Sequence, residues 1–237
     1  MISSRITALR TVVRTLDISL GTLVDTARGR LTVERSDARL ARWSRDLLTY
    51  AAVKLRTEGF EGVPRARAFV LMSNHESHYD IPIMYQAFQP RTLRMVAKAE
   101  LFRIPVWGRA MREAGFIPVD RSGDKARAKA AMAEAARAVA AGVNIWIAPE
   151  GTRSLGHDGE LGAFKKGGFL LARDTNTPII PVGIDGSRDI LEKHSLDVQR
   201  GVVVTVRFGS PIDPNGELES VMATAYQEID RLRGKRL

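Results

Sequence analysis

The sequence contains no cysteine, which excludes disulfide scaffolds, thiolate zinc sites, iron–sulfur clusters and cysteine nucleophiles together. No run approaches the roughly eighteen uninterrupted apolar residues of a spanning helix, and no apolar core followed by a small-residue cleavage site marks a leader. The expected location is therefore cytoplasmic, in solution or peripheral (monotopic) on the cytoplasmic face of a membrane. Aromatic residues amount to only 6% and none interleaves with the basic clusters, so no nucleic-acid partner is expected. Acidic side chains are in deficit: 36 Lys and Arg against 27 Asp and Glu leave a net charge of +9. Such a surface draws anionic partners such as lipid headgroups or phosphorylated small molecules.

What is present reads as one α/β domain with a helical appendage. Over 237 residues there is room for a substantial core, but not for two full domains. Ile2, Ile6, Leu9, Val13, Leu16, Leu20 and Leu23 alternate at spacings of four and three, the narrow apolar stripe of an amphipathic helix flanked by Arg5 and Arg10. A second helix is expected over Asp37 to Leu55, with Leu40, Trp43, Leu47, Tyr50 and Ala51 on one side. Residues 1–60 carry 11 basic and 6 acidic residues. They fit a hairpin packed on the main domain, an interfacial membrane-docking segment, or both.

After Gly59 short apolar runs alternate with helical stretches, which predicts a mostly parallel central sheet flanked by helices over residues 61–237. Six strands are expected: Ala68 to Met72, Thr92 to Ala97, Phe116 to Val119, Val143 to Ala148, Pro178 to Ile184 and Val202 to Phe208. The alanine-rich stretch Lys125 to Ala141 is a helix with Asp124 as cap and Gly142 as stop, and Glu217 to Arg233 is a terminal amphipathic helix.

Directly after the first of these strands comes Ser73-Asn74-His75-Glu76-Ser77-His78-Tyr79-Asp80, on a strand-to-helix loop at the edge where α/β sheets bind ligands. A histidine followed five residues later by a carboxylate can form an oriented general base, the carboxylate holding the proton on one ring nitrogen while the other accepts. A pair that merely caps a helix shows the same spacing. His75, His78 and Asp80 also sketch a metal triad, but the only further histidines are the distant His157 and His194, and no metal is expected. A second cluster, Ala148-Pro149-Glu150-Gly151-Thr152-Arg153-Ser154, again follows a strand. There Gly151 lets the backbone approach a ligand, Arg153 offers a planar fork to phosphate oxygens, and Thr152 and Ser154 add hydroxyls. Lys165 supplies further charge before a helix start. Between the clusters, Gly115-Phe116-Ile117-Pro118-Val119-Asp120-Arg121 ends a strand with an arginine that could meet Arg153 around one anion.

These blocks, in this order, resemble the glycerolipid acyltransferase family typified by 1-acylglycerol-3-phosphate acyltransferases. The resemblance rests on NHESHYD, GFIPVDR, APEGTRS and the strand IIPVGI from Ile179 to Ile184, with Lys98-Ala99-Glu100-Leu101 as a shorter match. Pro118-Val119-Asp120 departs modestly from the family pattern and leaves Arg121 in place. The resemblance implies transfer of an acyl group from an acyl thioester, acyl-CoA or acyl carrier protein, to the free hydroxyl of a lysophospholipid without a covalent enzyme intermediate. It implies His75 as base and Asp80 as its partner. It further implies a substrate-binding set of Asn74, Ser77, Lys98, Gly115, Phe116, Arg121, Glu150, Gly151, Thr152, Arg153, Ser154 and Lys165. No cofactor is needed beyond the donor, and the expected partners are the two substrates, a membrane surface with anionic lipids and acyl carrier protein. Glycerol 3-phosphate, a lyso-ornithine lipid, a glycolipid and a zwitterionic lysophospholipid are the alternative acceptors. The first sixty residues resemble, in pattern, the two-helix docking segment of some bacterial members.

Overall fold

The structure, a computed structural model, describes residues 4–65, 68–120, 125–153, 160–191 and 197–234. Its strands are β1 Lys54–Glu58, β2 Val70–Ser73, β3 Leu93–Lys98, β4 Ile117–Val119, β5 Asn144–Ile147, β6 Ile179–Asp185 and β7 Val203–Phe208. Its helices are α1 Ser4–Ala27, α2 Val33–Tyr50, α3 Asp80–Ala87, α4 Trp107–Glu113, α5 Lys125–Ala140, α6 Gly167–Asp174 and α7 Leu218–Leu232. The strands form a single sheet in the order β1-β7-β6-β2-β5-β3-β4. Every pairing is parallel except β6 with β7, so the expected mostly parallel sheet flanked by helices is what forms. Asp124, the expected cap of α5, lies outside the described residues.

The central strand shows why the sheet is buried on both faces. In β2 and the residue before it, Phe69 and Leu71 point into a core shared with Leu40, Leu48, Ile83 and Phe88 from the α2 and α3 side. Val70 and Met72 point the other way, toward Ala131, Ala135, Phe169, Ala225 and Ile229 from α5, α6 and α7. Alternate residues of one strand thus serve two helical layers, which requires an unbroken apolar run.

Strand β1 runs against the expectation of a helix continuing to Leu55. The second helix ends at Tyr50, Ala52 takes a left-handed conformation with φ 51°, and Lys54–Glu58 pairs in parallel with β7, Leu55 opposite Val204. Lys54, Arg56 and Glu58 are exposed on this edge strand, where charges discourage further pairing. The same charges hide the strand from a hydrophobic-pattern reading. The segment 1–60 therefore contributes a strand to the sheet, and a boundary at residue 60 falls behind it.

Helix α1 packs with its polar face inward. Thr7, Ser19 and Thr22 are buried, whereas Ile6, Leu9, Val12, Val13, Leu16, Leu20 and Val24 are exposed. The hydroxyls of Thr15, Ser19 and Thr22 are satisfied within the helix and by α2: Ser19 Oγ donates to the Thr15 carbonyl, Trp43 Nε1 to Thr15 Oγ1 and Arg39 Nη1 to Thr22 Oγ1. Arg14 bridges to Asp46 at 2.7 Å. Ile2, from the expected stripe, lies outside the described residues. Among the described residues no helix is long and apolar enough to cross a membrane.

At the other end of the chain, α7 closes directly onto β6. A Cβ on Gly183 would stand 2.1 Å from the Leu232 carbonyl carbon and 2.3 Å from the Arg233 nitrogen, so only glycine allows the approach. Replacing Gly183 by alanine must push the end of α7 away. Overpacking of this kind costs roughly 2–3 kcal/mol, which for a chain of this length lowers the melting temperature by roughly 5–10 °C. Thermal circular dichroism of Gly183→Ala checks the figure.

Candidate active site

Strands β2, β3, β4 and β5 run in one direction, so the loops that leave them gather along one edge. The first of these, Asn74 to Tyr79, leads from β2 into α3, which opens on Asp80. His75 Nδ1 lies 2.7 Å from Asp80 Oδ2, and the same oxygen accepts from the amides of Glu76 at 2.7 Å and Ser77 at 2.9 Å. Asp80 is fully buried. An ionised carboxylate only accepts, so the proton of a neutral His75 sits on Nδ1 and the Nε2 lone pair is free to act as a base. The rings of His75 and Trp146, the latter on β5, meet in a T-shaped arrangement, 81° apart, at a centroid distance of 6.4 Å. Trp146 Nε1 in turn donates to Ser73 Oγ. The only trace of Trp146 in the sequence is an aromatic residue between two isoleucines of a strand.

Two residues expected to touch substrate instead build this loop. Asn74 is fully buried, its Oδ1 accepting from the Ile184 amide and its Nδ2 donating to the Ile184 carbonyl, each at 2.8 Å. That pair of bonds clamps the loop to β6. Ser77 Oγ donates to the Leu191 carbonyl and its amide to Asp80. Both side chains are spent on holding the backbone, which is why an Asn and a Ser stand there.

On the ligand side, Lys98 ends β3 exposed and Arg153 is half-buried beyond β5. Their proximity registers on His78, which keeps an exposed edge in the same loop. Its pKa is held below the usual histidine value by desolvation first, then by the neighbouring Arg153, His75 and Lys98, against the pull of Asp80. Arg153 and Lys98 thus act electrostatically on the loop that carries His75 and His78.

The Glu150 to Arg153 turn is fixed from beneath. Glu150 is buried, and its Oε2 accepts from the Gly162 amide at 2.8 Å. Gly151 adopts φ +72°, and the Lys165 side chain runs across it at 3.0 Å from where a Cβ would stand. The Lys165 amide donates to the Pro149 carbonyl, bringing that cation beside the turn. Thr152 is exposed. Glu150, expected to bind substrate, is therefore a support for the turn.

Gly115 and Phe116 are not brought to this edge. They precede β4, at its amino end. Gly115 is the left-handed residue that ends α4, against the Arg94 side chain, and Phe116 is buried with its ring 6.1 Å from Tyr85. Phe116 belongs to the core and Gly115 is an exposed turn residue at the far end of the strand. Arg121 and Ser154 lie outside the described residues, and with them the expected meeting of Arg121 and Arg153 around one anion.

Comparison with known proteins follows the same lines. The family model described as Acyltransferase matches residues 54–185. The chloroplastic 1-acyl-sn-glycerol-3-phosphate acyltransferase BAT2 of Brassica napus is 32% identical over 164 residues, 69% of this chain and 46% of its own. The 1-acyl-sn-glycerol-3-phosphate acyltransferase alpha of Mus musculus is 33% identical over 167 residues, 69% of this chain and 56% of its own. The chain thus spans about half the length of these curated relatives. The crystal structure of the 1-acyl-sn-glycerophosphate (LPA) acyltransferase PlsC from Thermotoga maritima superposes with a TM-score of 0.69 over 98% of this chain and 99% of that one, at 24% identity, a likeness of fold.

Proposed function

The chain belongs to the acyltransferase family, and from that membership we propose that it moves a fatty acyl group from an acyl thioester to the free hydroxyl of 1-acylglycerol 3-phosphate, giving phosphatidic acid. The observation that carries this reading is the His75 Nδ1 to Asp80 Oδ2 contact at 2.7 Å, in a loop on which the Arg153 cation also acts. His75 Nε2 takes the proton of the acceptor hydroxyl as its oxygen attacks the thioester carbonyl carbon. The tetrahedral intermediate then collapses, the C–S bond breaks, and the departing thiolate takes the proton back from His75. No acyl-enzyme is required, in keeping with a chain that has no cysteine. General-base help supplies on the order of 10² to 10⁴ in rate; the rest comes from holding the acceptor in line.

Arg153 is assigned the acceptor's phosphate. Loss of a charge-assisted hydrogen bond costs roughly 1.5–3 kcal/mol, so Arg153→Ala raises the apparent KM for a lysophosphatidic acid by roughly 10- to 100-fold with a much smaller change in kcat. Initial rates against acceptor concentration measure it. A monoacylglycerol tried as a slow acceptor should be indifferent to the change.

The outward aliphatic face of α1 is assigned to the lipid surface, at the cytoplasmic side of a membrane, so that a two-tailed product and a one-tailed acceptor need not leave the bilayer fully. Thiol release from acyl-CoA against a panel of lysolipids and glycerol 3-phosphate, with products identified by mass spectrometry, tests the whole reading. Formation of phosphatidic acid supports it, and thioester consumption with glycerol 3-phosphate alone, or none at all, refutes it.

A further inference from the structure

One residue far from the motifs reaches the catalytic loop. Arg233 follows α7 and its side chain is nearly buried, 15% exposed, as is that of Glu76 at 11%. Asp230 Oδ1 accepts from Arg233 Nε at 2.8 Å and Nη2 at 2.6 Å, which fixes the guanidinium plane. Arg233 Nη1 then stands 3.9 Å from Glu76 Oε1, an ion pair without a direct hydrogen bond. The same Glu76 oxygen accepts from Asn74 Nδ2 at 3.2 Å. Meanwhile the Glu76 amide is one of the two backbone donors on Asp80 Oδ2. Glu76 therefore faces both ways: its side chain is held by Asn74 and Arg233, and its backbone holds the carboxylate that orients His75.

The far end of this chain of contacts is itself anchored. Helix α7 ends against Gly183, one residue before Ile184, to which Asn74 is clamped. Arg207 Nη1 donates to the Leu232 carbonyl at 3.0 Å. Arg207, α7 and Arg233 lie beyond residues 54–185, the segment matched by the family model. Without the guanidinium, Glu76 loses an opposite charge only a few residues from the buried Asp80, and like charges in a poorly solvated site repel. Relief of that repulsion pulls on the short loop whose Glu76 amide donates to Asp80 Oδ2.

We propose that Arg233 is a positioning residue for the general base, acting through Glu76 to keep Asp80 and hence His75 in their working geometry. The inference rests on the acyl-transfer reading for its kinetic arm alone. Arg233→Ala and Arg233→Lys are compared with the parent in thiol release from acyl-CoA with lysophosphatidic acid, and the His75 Nδ1–H proton is followed by NMR, assigned by its loss in His75→Ala. The alanine variant should lose kcat on the order of 10- to 100-fold, as a small displacement of a reacting group does, with KM for both substrates within about twofold. It should also shift or broaden the His75 Nδ1–H signal. Lysine, which keeps the charge, should restore most of the rate and the signal. An alanine variant with parental kcat overturns the proposal. So does an equal loss in the lysine variant accompanied by a fall in melting temperature, which would mark a purely structural role. Should the parent protein consume no thioester, the functional reading fails, and an unchanged His75 signal in Arg233→Ala then overturns this inference separately.

Discussion

His75→Ala is expected to lower turnover by roughly 10⁴-fold, the upper end of what a positioned general base supplies, with little effect on the fold because the ring is part-exposed at the loop surface. The changes at Asp80 are more informative, because all three of its bonds converge on one oxygen. Oδ2 takes the His75 Nδ1 proton and the Glu76 and Ser77 amides, while Oδ1 has no hydrogen-bond partner among the described residues. An asparagine at position 80 can place its carbonyl where Oδ2 was and keep all three donors satisfied. Its amide group then replaces the solitary Oδ1. The histidine tautomer survives and only the negative charge that steadies the imidazolium is lost. Asp80→Asn should therefore cost roughly 10- to 100-fold in kcat, and Asp80→Ala, which loses the orientation too, roughly 10³-fold. Alanine also orphans two buried amides at about 1–3 kcal/mol each, so its melting temperature should fall and that of His75→Ala should not. Steady-state rates of the three variants at saturating substrate decide the matter. Equal losses for asparagine and alanine would mean that the carboxylate supplies charge and not orientation.

The parts of this site that were legible in the sequence are those whose chemistry lies in consecutive residues. His75 and Asp80 straddle one loop, and a strand before them and a helix after them fix the distance between them. Glu150 to Arg153 follow a strand in the same way. Strand order then brings the two loops to one edge, since β2 and β5 are parallel neighbours. What a pattern of residues does not contain is the direction of a side chain whose partner is remote. Asn74 reads as a polar group offered to a ligand, but Ile184, 110 residues later, takes both halves of its amide. Gly115 and Phe116 read as part of a block that ends in an arginine, but a three-residue strand separates its amino end from the edge where the His75 and Arg153 loops gather. Arg233 carries no signal at all, because its meaning depends on where α7 stops. Strand β1 was hidden for a different reason: an edge strand needs charge to stay unpaired, and charge erases the alternation by which strands are recognised.

The first helix reverses the relation between pattern and packing. Its aliphatic stripe was evident from spacing, and the natural expectation is that such a stripe faces the core. Instead Thr7, Ser19 and Thr22 are buried and Leu9, Val13, Leu16 and Leu20 are exposed. A row of hydroxyls can pack inward because each can return its proton to the carbonyl one turn back, as Ser19 and Thr22 do. The small side chains let α1 lie close to its neighbours, and the large ones are left for another medium. If that medium is lipid, each leucine buried at the interface contributes roughly 1.5 kcal/mol or more. Leu16→Asp combined with Leu20→Asp then removes at least about 3 kcal/mol, a drop of more than roughly 100-fold in partitioning onto anionic vesicles. Because both positions are already exposed, the melting temperature should hold. Ser19→Leu, on the inner face, should do the opposite, costing stability while leaving the outer face intact. Vesicle co-sedimentation with thermal unfolding of the same three proteins separates the cases, and raised salt should weaken whatever binding the surface arginines add. Undiminished sedimentation of the doubly substituted protein would remove lipid as the partner of this face. A parent protein that dimerises in analytical ultracentrifugation, with the double variant monomeric and neither bound to vesicles, would assign the stripe to a second copy of the chain.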